Sequence, residues 1–136
     1  MGNVNLVAVF AGAAVFFAFG ALWYGPLFGA AWKAEQGWDG TGFPGPRASN
    51  SPALVLALAF LFSLLVALML GHSVARSSGV PHVIMMMATG FGAAIMVPAL
   101  GINYLFQQRT AKLFAIDAGY IITGMILMGG VFVALG

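Results

Sequence analysis

The chain contains no cysteine. That removes disulfide frameworks, thiol chemistry and Cys-ligated metal centres together. Charge is almost as scarce. Only 6% of the 136 residues are Asp, Glu, Lys or Arg, against roughly 25% in ordinary soluble domains. With 62% hydrophobic residues, a soluble fold of this length would have more apolar surface than it could hide. The formal net charge of +2 is too small and too dispersed for a nucleic-acid footprint. There is no phosphate-cradling glycine loop, no Ser–His–Asp order, and no acid paired with a base in a hydrolase pattern. The first apolar stretch lacks the glutamate that small four-span multidrug exporters use. The arginine- and glutamate-rich spans of membrane glutathione-dependent enzymes are also missing. On these grounds the chain is not read as an enzyme.

What the chain does have is long apolar runs. Residues 1–32, 48–75, 77–108 and 118–136 carry no charge. Each is long enough for a helix crossing the lipid core, which takes about 20 apolar residues. In lipid such helices close their own backbone hydrogen bonds. Lys33, Glu35, Asp39, Arg47, Arg76, Arg109 and Lys112 punctuate the runs, and Asp117 is the only acid that falls inside an expected span. The expected fold is therefore all-α and integral to a membrane. It is one four-transmembrane-helix bundle over residues 1–136, with spans near 5–24, 52–75, 81–104 and 111–134 and a longer loop at 27–50. Residues 4–22 are not read as a cleaved signal peptide, because no Lys or Arg precedes them and the run is too long for an h-region. Lys33, Arg47, Arg109 and Lys112 lie in the connections after spans 1 and 3, and Arg76 alone after span 2. That bias puts the basic connections in the cytoplasm and both termini on the other side.

Local signals subdivide the spans. Ala11, Ala14, Ala18 and Ala21 put small side chains on one face of span 1, and Pro26 is expected to stop that helix. Gly37 to Pro46 is rich in glycine and proline and cannot hold a long helix, while Trp32, Trp38 and Phe43 suit the headgroup layer. Ser51-Pro52 reads as an N-cap with proline in the first turn. In span 2, Ala59, Ser63, Ala67, Gly71 and Ala75 recur every fourth residue, a stripe suited to helix–helix contact within the bundle or between subunits. Pro98 is expected to kink span 3. A faint internal echo pairs Tyr24 with Tyr104 and Lys33 with Lys112, as in two parallel helical hairpins.

Two longer stretches carry a family resemblance. One is Gly20-Ala21-Leu22-Trp23-Tyr24-Gly25-Pro26-Leu27-Phe28-Gly29, followed by Trp32. The other is Lys112-Leu113-Phe114-Ala115-Ile116-Asp117-Ala118-Gly119-Tyr120, with Arg109 before and Met128-Gly129 after. Together they resemble the bacterial membrane family catalogued as domain of unknown function 1761, over nearly the whole chain. The resemblance implies the four-span architecture and a place in the bacterial cytoplasmic (inner) membrane. It implies no reaction and no cofactor.

Asp117 is the foremost candidate site, since an ionisable group within a span suggests function. It lies roughly 7 Å deeper than Lys112 at about 1.5 Å per residue. With Tyr120, Asn103, Arg109 and Lys112 it forms a candidate transport or polar site. The plainer reading has Asp117 paired near the interface with Arg109, Lys112 or another polar group such as Asn103. Trp23, Tyr24, Pro26 and Trp32 form a candidate groove for a lipid or quinone headgroup, against the plainer reading of an aromatic belt with a helix stop. His72 and His82 are too few for a metal site. Met69, Met85, Met86, Met87, Met96, Met125 and Met128 suit flexible packing better than soft-metal binding. No metal or cofactor is expected. The leading functional expectation is a non-catalytic membrane protein among membrane lipids, either a homo-oligomer or an accessory subunit of a larger complex. The alternative is a small transporter or channel for a proton, ion or small solute, using Asp117.

Overall fold

In the computed structural model, the structure describes residues 3–37 and 50–135. Trp38, Asp39, Phe43, Arg47 and most of the glycine- and proline-rich stretch lie outside the described residues. The described residues form helices and no strand. In chain order these are α1 (Leu6–Leu22), α2 (Gly29–Gln36), α3 (Pro52–Ala75), α4 (Pro81–Gly90), α5 (Val97–Phe106) and α6 (Ala111–Leu135). Two π-helical segments, Trp23–Leu27 and Phe91–Met96, extend α1 and join α4 to α5. Four continuous helices are long and apolar enough to cross a membrane: Leu6–Leu27, Pro52–Ala75, Pro81–Phe106 and Ala111–Leu135.

Side chains start three of the long helices. Asn5 Oδ1 accepts from the Ala8 amide at 3.1 Å, Ser51 Oγ from the Leu54 amide at 3.2 Å, and Thr110 Oγ1 from the Leu113 amide at 3.1 Å. Each satisfies one of the first-turn N–H groups that a helix leaves open. Asn5 also donates through Nδ2 to the Leu135 carbonyl at 2.9 Å, tying the start of α1 to the end of α6. The α5–α6 turn closes on Gln108, whose φ of 57° is left-handed. The Gln108 amide donates to the Leu105 carbonyl at 3.2 Å, and the Arg109 amide to that of Tyr104 at 3.0 Å. This is a Schellman ending in which glutamine occupies the place glycine usually takes.

Pro26 does not stop the first span, contrary to expectation. The helix passes through it as a π turn and ends at Phe28, whose amide donates to the Trp23 carbonyl at 2.8 Å. A proline ring inside an α-turn strikes the carbonyl four residues back. Widening the turn to a five-residue step removes the clash and leaves the helix unbroken. The same device lies ahead of Pro98, where Phe91–Met96 is π-helical and α5 continues beyond it.

In space α1 packs between α3 and α6, and α6 also receives α4 and α5. The α1–α6 pair is the centre of the bundle. Its core is Ala8, Val9, Ala13 and Phe16 from α1 with Met125, Met128 and Phe132 from α6. Of the small residues that share one face of span 1, Ala11 is half-buried and Ala14, Ala18 and Ala21 are exposed, whereas Gly12 and Ala13 are buried. In α3, Ser63, Ala67 and Gly71 are buried, with Ala59 and Ala75 half-buried. A Cβ on Gly71 would lie 2.9 Å from Val9 Cγ2, so this stripe is spent within the chain against α1. In lipid, where apolar burial gives little drive, such close approach is what holds helices together.

Candidate functional site

The site forms where the π turn of span 1, the end of α5 and the first two turns of α6 converge, with α2 beside them. Asp117 sits in this joint and is 8% exposed. Its two carboxylate oxygens have different donors. The Tyr24 hydroxyl donates to Oδ1 at 2.5 Å, and the Tyr104 hydroxyl donates to Oδ2. A buried carboxylate must be hydrogen-bonded to persist, and here neutral phenols from two other spans do this.

The glycines of the two distinctive motifs explain how the joint closes. A Cβ on Gly119 would lie 2.8 Å from the Trp23 ring, and one on Gly20 would lie 3.1 Å from the Tyr120 hydroxyl. Each helix gives up a side chain to seat the other's aromatic ring. Trp23 Nε1 then donates to the Ile116 carbonyl at 3.0 Å, and the Tyr120 hydroxyl to the Phe16 carbonyl at 2.7 Å. Gly29 serves the same joint: a Cβ there would stand 2.6 Å from the Tyr24 carbonyl oxygen, backbone that cannot swing aside. So α2 can follow the π turn closely enough to bring Trp32 against Tyr24, ring centroids 5.1 Å apart. Glu35 fixes α2 to the bundle, its Oε1 accepting from the Thr110 hydroxyl at 2.5 Å.

Beside Asp117 lies a cavity of about 350 Å³. Tyr24, Tyr104, Tyr120 and Trp32 supply ring walls, and Leu100, Leu113 and Ile121 supply aliphatic ones. Arg109 and Gln36 complete the lining. The Gln36 Nε2 atom is buried and has no hydrogen-bond partner. Arg109 spends Nε on Gln107 Oε1 at 3.3 Å, which leaves the end of its guanidinium for other acceptors. Beyond Asp117, toward the far end of α6, the interior closes on Phe16, Met125, Met128 and Phe132, all buried.

The structure brings together only part of the set read from sequence. Asp117, Tyr120 and Arg109 line one cavity, joined by Tyr24 and Trp32 from the aromatic group. Asn103 is exposed on the outer face of α5, because it neighbours the inward-facing Tyr104 on a helix. Lys112 is exposed on α6 and is not part of the cavity lining. Pro26 is exposed and acts through the turn it widens; Trp23 serves the α1–α6 contact. Among the described residues no basic group pairs with Asp117; the polar groups that meet it are the hydroxyls of Tyr24 and Tyr104 rather than Arg109, Lys112 or Asn103. His72 and His82 are both exposed near the opposite end of the bundle. Sequence reading did not assign Tyr104 or Gln36 to the site. The spacing echo between Tyr24 and Tyr104 was the available signal for the first. Nothing in the sequence marks Gln36.

Compared with the curated proteins and with the solved structures, the chain has no match in either. A family model does match it, over residues 7–133, a range that takes in α1 through nearly all of α6 and both halves of the aromatic–glycine joint. The chain belongs to that family, described as a protein of unknown function (DUF1761).

Proposed function

We propose that this is a non-catalytic integral membrane protein that holds a small ligand in a one-sided pocket at its basic end. The observation that carries this reading is the cavity of about 350 Å³ beside Asp117, with the apolar core of Phe16, Met125, Met128 and Phe132 closing the bundle behind it. A pore or proton path needs polar groups across the span. A pocket that ends on close-packed apolar side chains suits retention instead. The groups that line it are those of binding: one carboxylate, one guanidinium, one amide and aromatic faces. Among the described residues its lining includes no serine, threonine, cysteine, histidine or lysine.

The self-assembly reading loses one support, since the Ala59 to Ala75 stripe faces α1 of the same chain. A subunit role rests on the poverty of reactive groups among the described residues that line the pocket. Native mass spectrometry of the purified chain in mild detergent tests both points. We expect a retained small molecule that Leu100→Trp releases without changing thermal stability, and a particle mass above that of one chain. A pocket that never holds a ligand, together with cation or proton flux in vesicles abolished by Asp117→Asn, would favour the transporter instead.

A further inference from the structure

The cavity beside Asp117 is lined by two chemically distinct sets of groups and has a neighbour. At its floor is a buried carboxylate with hydroxyl partners only, and among the described residues no cation pairs with it. Burial makes an unneutralised negative charge costly, so a cation arriving there is favoured. The floor is also ringed by aromatic faces, with Tyr24 and Tyr120 centroids 5.4 Å apart and Trp32 against Tyr24. Such faces attract ammonium groups. The lining also holds hydrogen-bond donors: the guanidinium of Arg109 and the amide of Gln36, whose Nε2 is buried and has no partner. Such donors suit a phosphate.

A second cavity of about 300 Å³ adjoins the first, and Tyr104 and Arg109 line both. Its other walls include Gly101, Leu105 and Phe114, along the outer side of the α5–α6 hairpin. Leu105 is 78% exposed there, on an apolar outer surface. Arg109 therefore stands between a polar pocket and an apolar groove. A soluble zwitterion would use only the pocket, whereas an amphiphile would use both.

Building on the reading of the pocket as a ligand site, we propose that its occupant is a membrane lipid whose headgroup carries a primary amine beside a phosphate. The amine lies at Asp117 among the rings, the phosphate at Arg109 and Gln36, and one acyl chain in the Gly101–Leu105–Phe114 groove.

The test is lipid retention by the full-length protein in mild detergent, read by native mass spectrometry. Phosphatidylethanolamine, phosphatidylglycerol and soluble phosphoethanolamine are offered at equal concentration. The expected result is a preference of about tenfold for phosphatidylethanolamine over phosphatidylglycerol, equivalent to about 1.4 kcal/mol. Asp117→Asn should erase that preference, while Arg109→Gln should weaken both lipids. Arg109 is exposed, so its replacement keeps the test valid even if the Asp117 variant fails to fold. Equal retention of the two lipids, still lowered by Arg109→Gln, overturns the amine assignment and leaves the pocket a binding site. Phosphoethanolamine held as tightly as its lipid overturns the acyl groove. Retention that ignores both substitutions overturns the ligand site itself.

Discussion

The hydroxyl of Tyr24 lies 2.5 Å from Oδ1 of Asp117, ninety-three positions further along the chain. Tyr104 donates to the other oxygen of the same carboxylate. Tyr24→Phe and Tyr104→Phe each leave one buried oxygen without its donor. Hydrogen bonds to charged groups contribute about 1.5–3 kcal/mol in soluble proteins, and bonds between membrane helices reach at most about 1.7 kcal/mol. Each substitution should therefore lower the unfolding free energy by about 1–1.5 kcal/mol in mixed micelles. Both losses should shrink in an Asp117→Asn background, because the two hydroxyls share one acceptor. Full additivity across that cycle would contradict the arrangement.

Gly129 and Gly130 are neighbours with opposite surroundings. A Cβ on Gly129 would lie 2.7 Å from the buried Cβ of Ala88, whereas one on Gly130 meets nothing within 4 Å. Gly129→Ala must push α4 away from α6 and should cost about 1–3 kcal/mol. Gly130→Ala should be neutral, or stabilising by up to about 1 kcal/mol through helix propensity. Thermal unfolding of the two variants side by side checks the packing of α4 on α6.

Gln108 holds a left-handed φ of 57° at the end of α5. That conformation costs a non-glycine residue about 1–2 kcal/mol, partly offset in a glycine variant by the greater freedom of its unfolded chain. Gln108→Gly should raise stability by about 0.5–1 kcal/mol. A lower melting temperature for Gln108→Gly would mean that the glutamine side chain contributes something the turn geometry does not show.

Thr110 acts in two directions through one hydroxyl, accepting from Leu113 and donating to Glu35. Thr110→Val removes both contacts, and loss of such a cap costs about 1 kcal/mol. Amide hydrogen exchange should quicken across Gly29–Gln36, with little change in the deep half of α6. Thr110→Ser keeps the hydroxyl and should leave exchange in α2 as it is. Equal exchange in both variants would show that Glu35 does not anchor α2.

Much of the architecture was legible because lipid imposes a coarse rule. Uncharged runs of sufficient length become spans, and the start of α3 at Pro52 follows from Ser51 and proline alone. The reading of Pro26 failed because proline rules treat the helix as strictly α, and a π turn evades them. Periodicity finds the small-residue face of span 1 without saying what meets it: Ala14, Ala18 and Ala21 are exposed, while Gly12 on another face packs against Met128 and Phe132 of α6. At the site, Asp117 stood out as the only acid within a span, but its partners did not. Tyr24 and Tyr104 are ordinary interfacial aromatics until two helices bring them to one carboxylate.

The composition and the charge map were enough for membrane residence, four helices and the prominence of Asp117. Those properties depend on the transfer of side chains into lipid, which is a local sum over the chain. The pairing of α1 with α6, the glycine seats for Trp23 and Tyr120, and the meeting of Tyr24 with Asp117 depend on contacts between residues 93 to 104 positions apart. No local sum contains such contacts. They exist only once close packing has chosen which helix faces which.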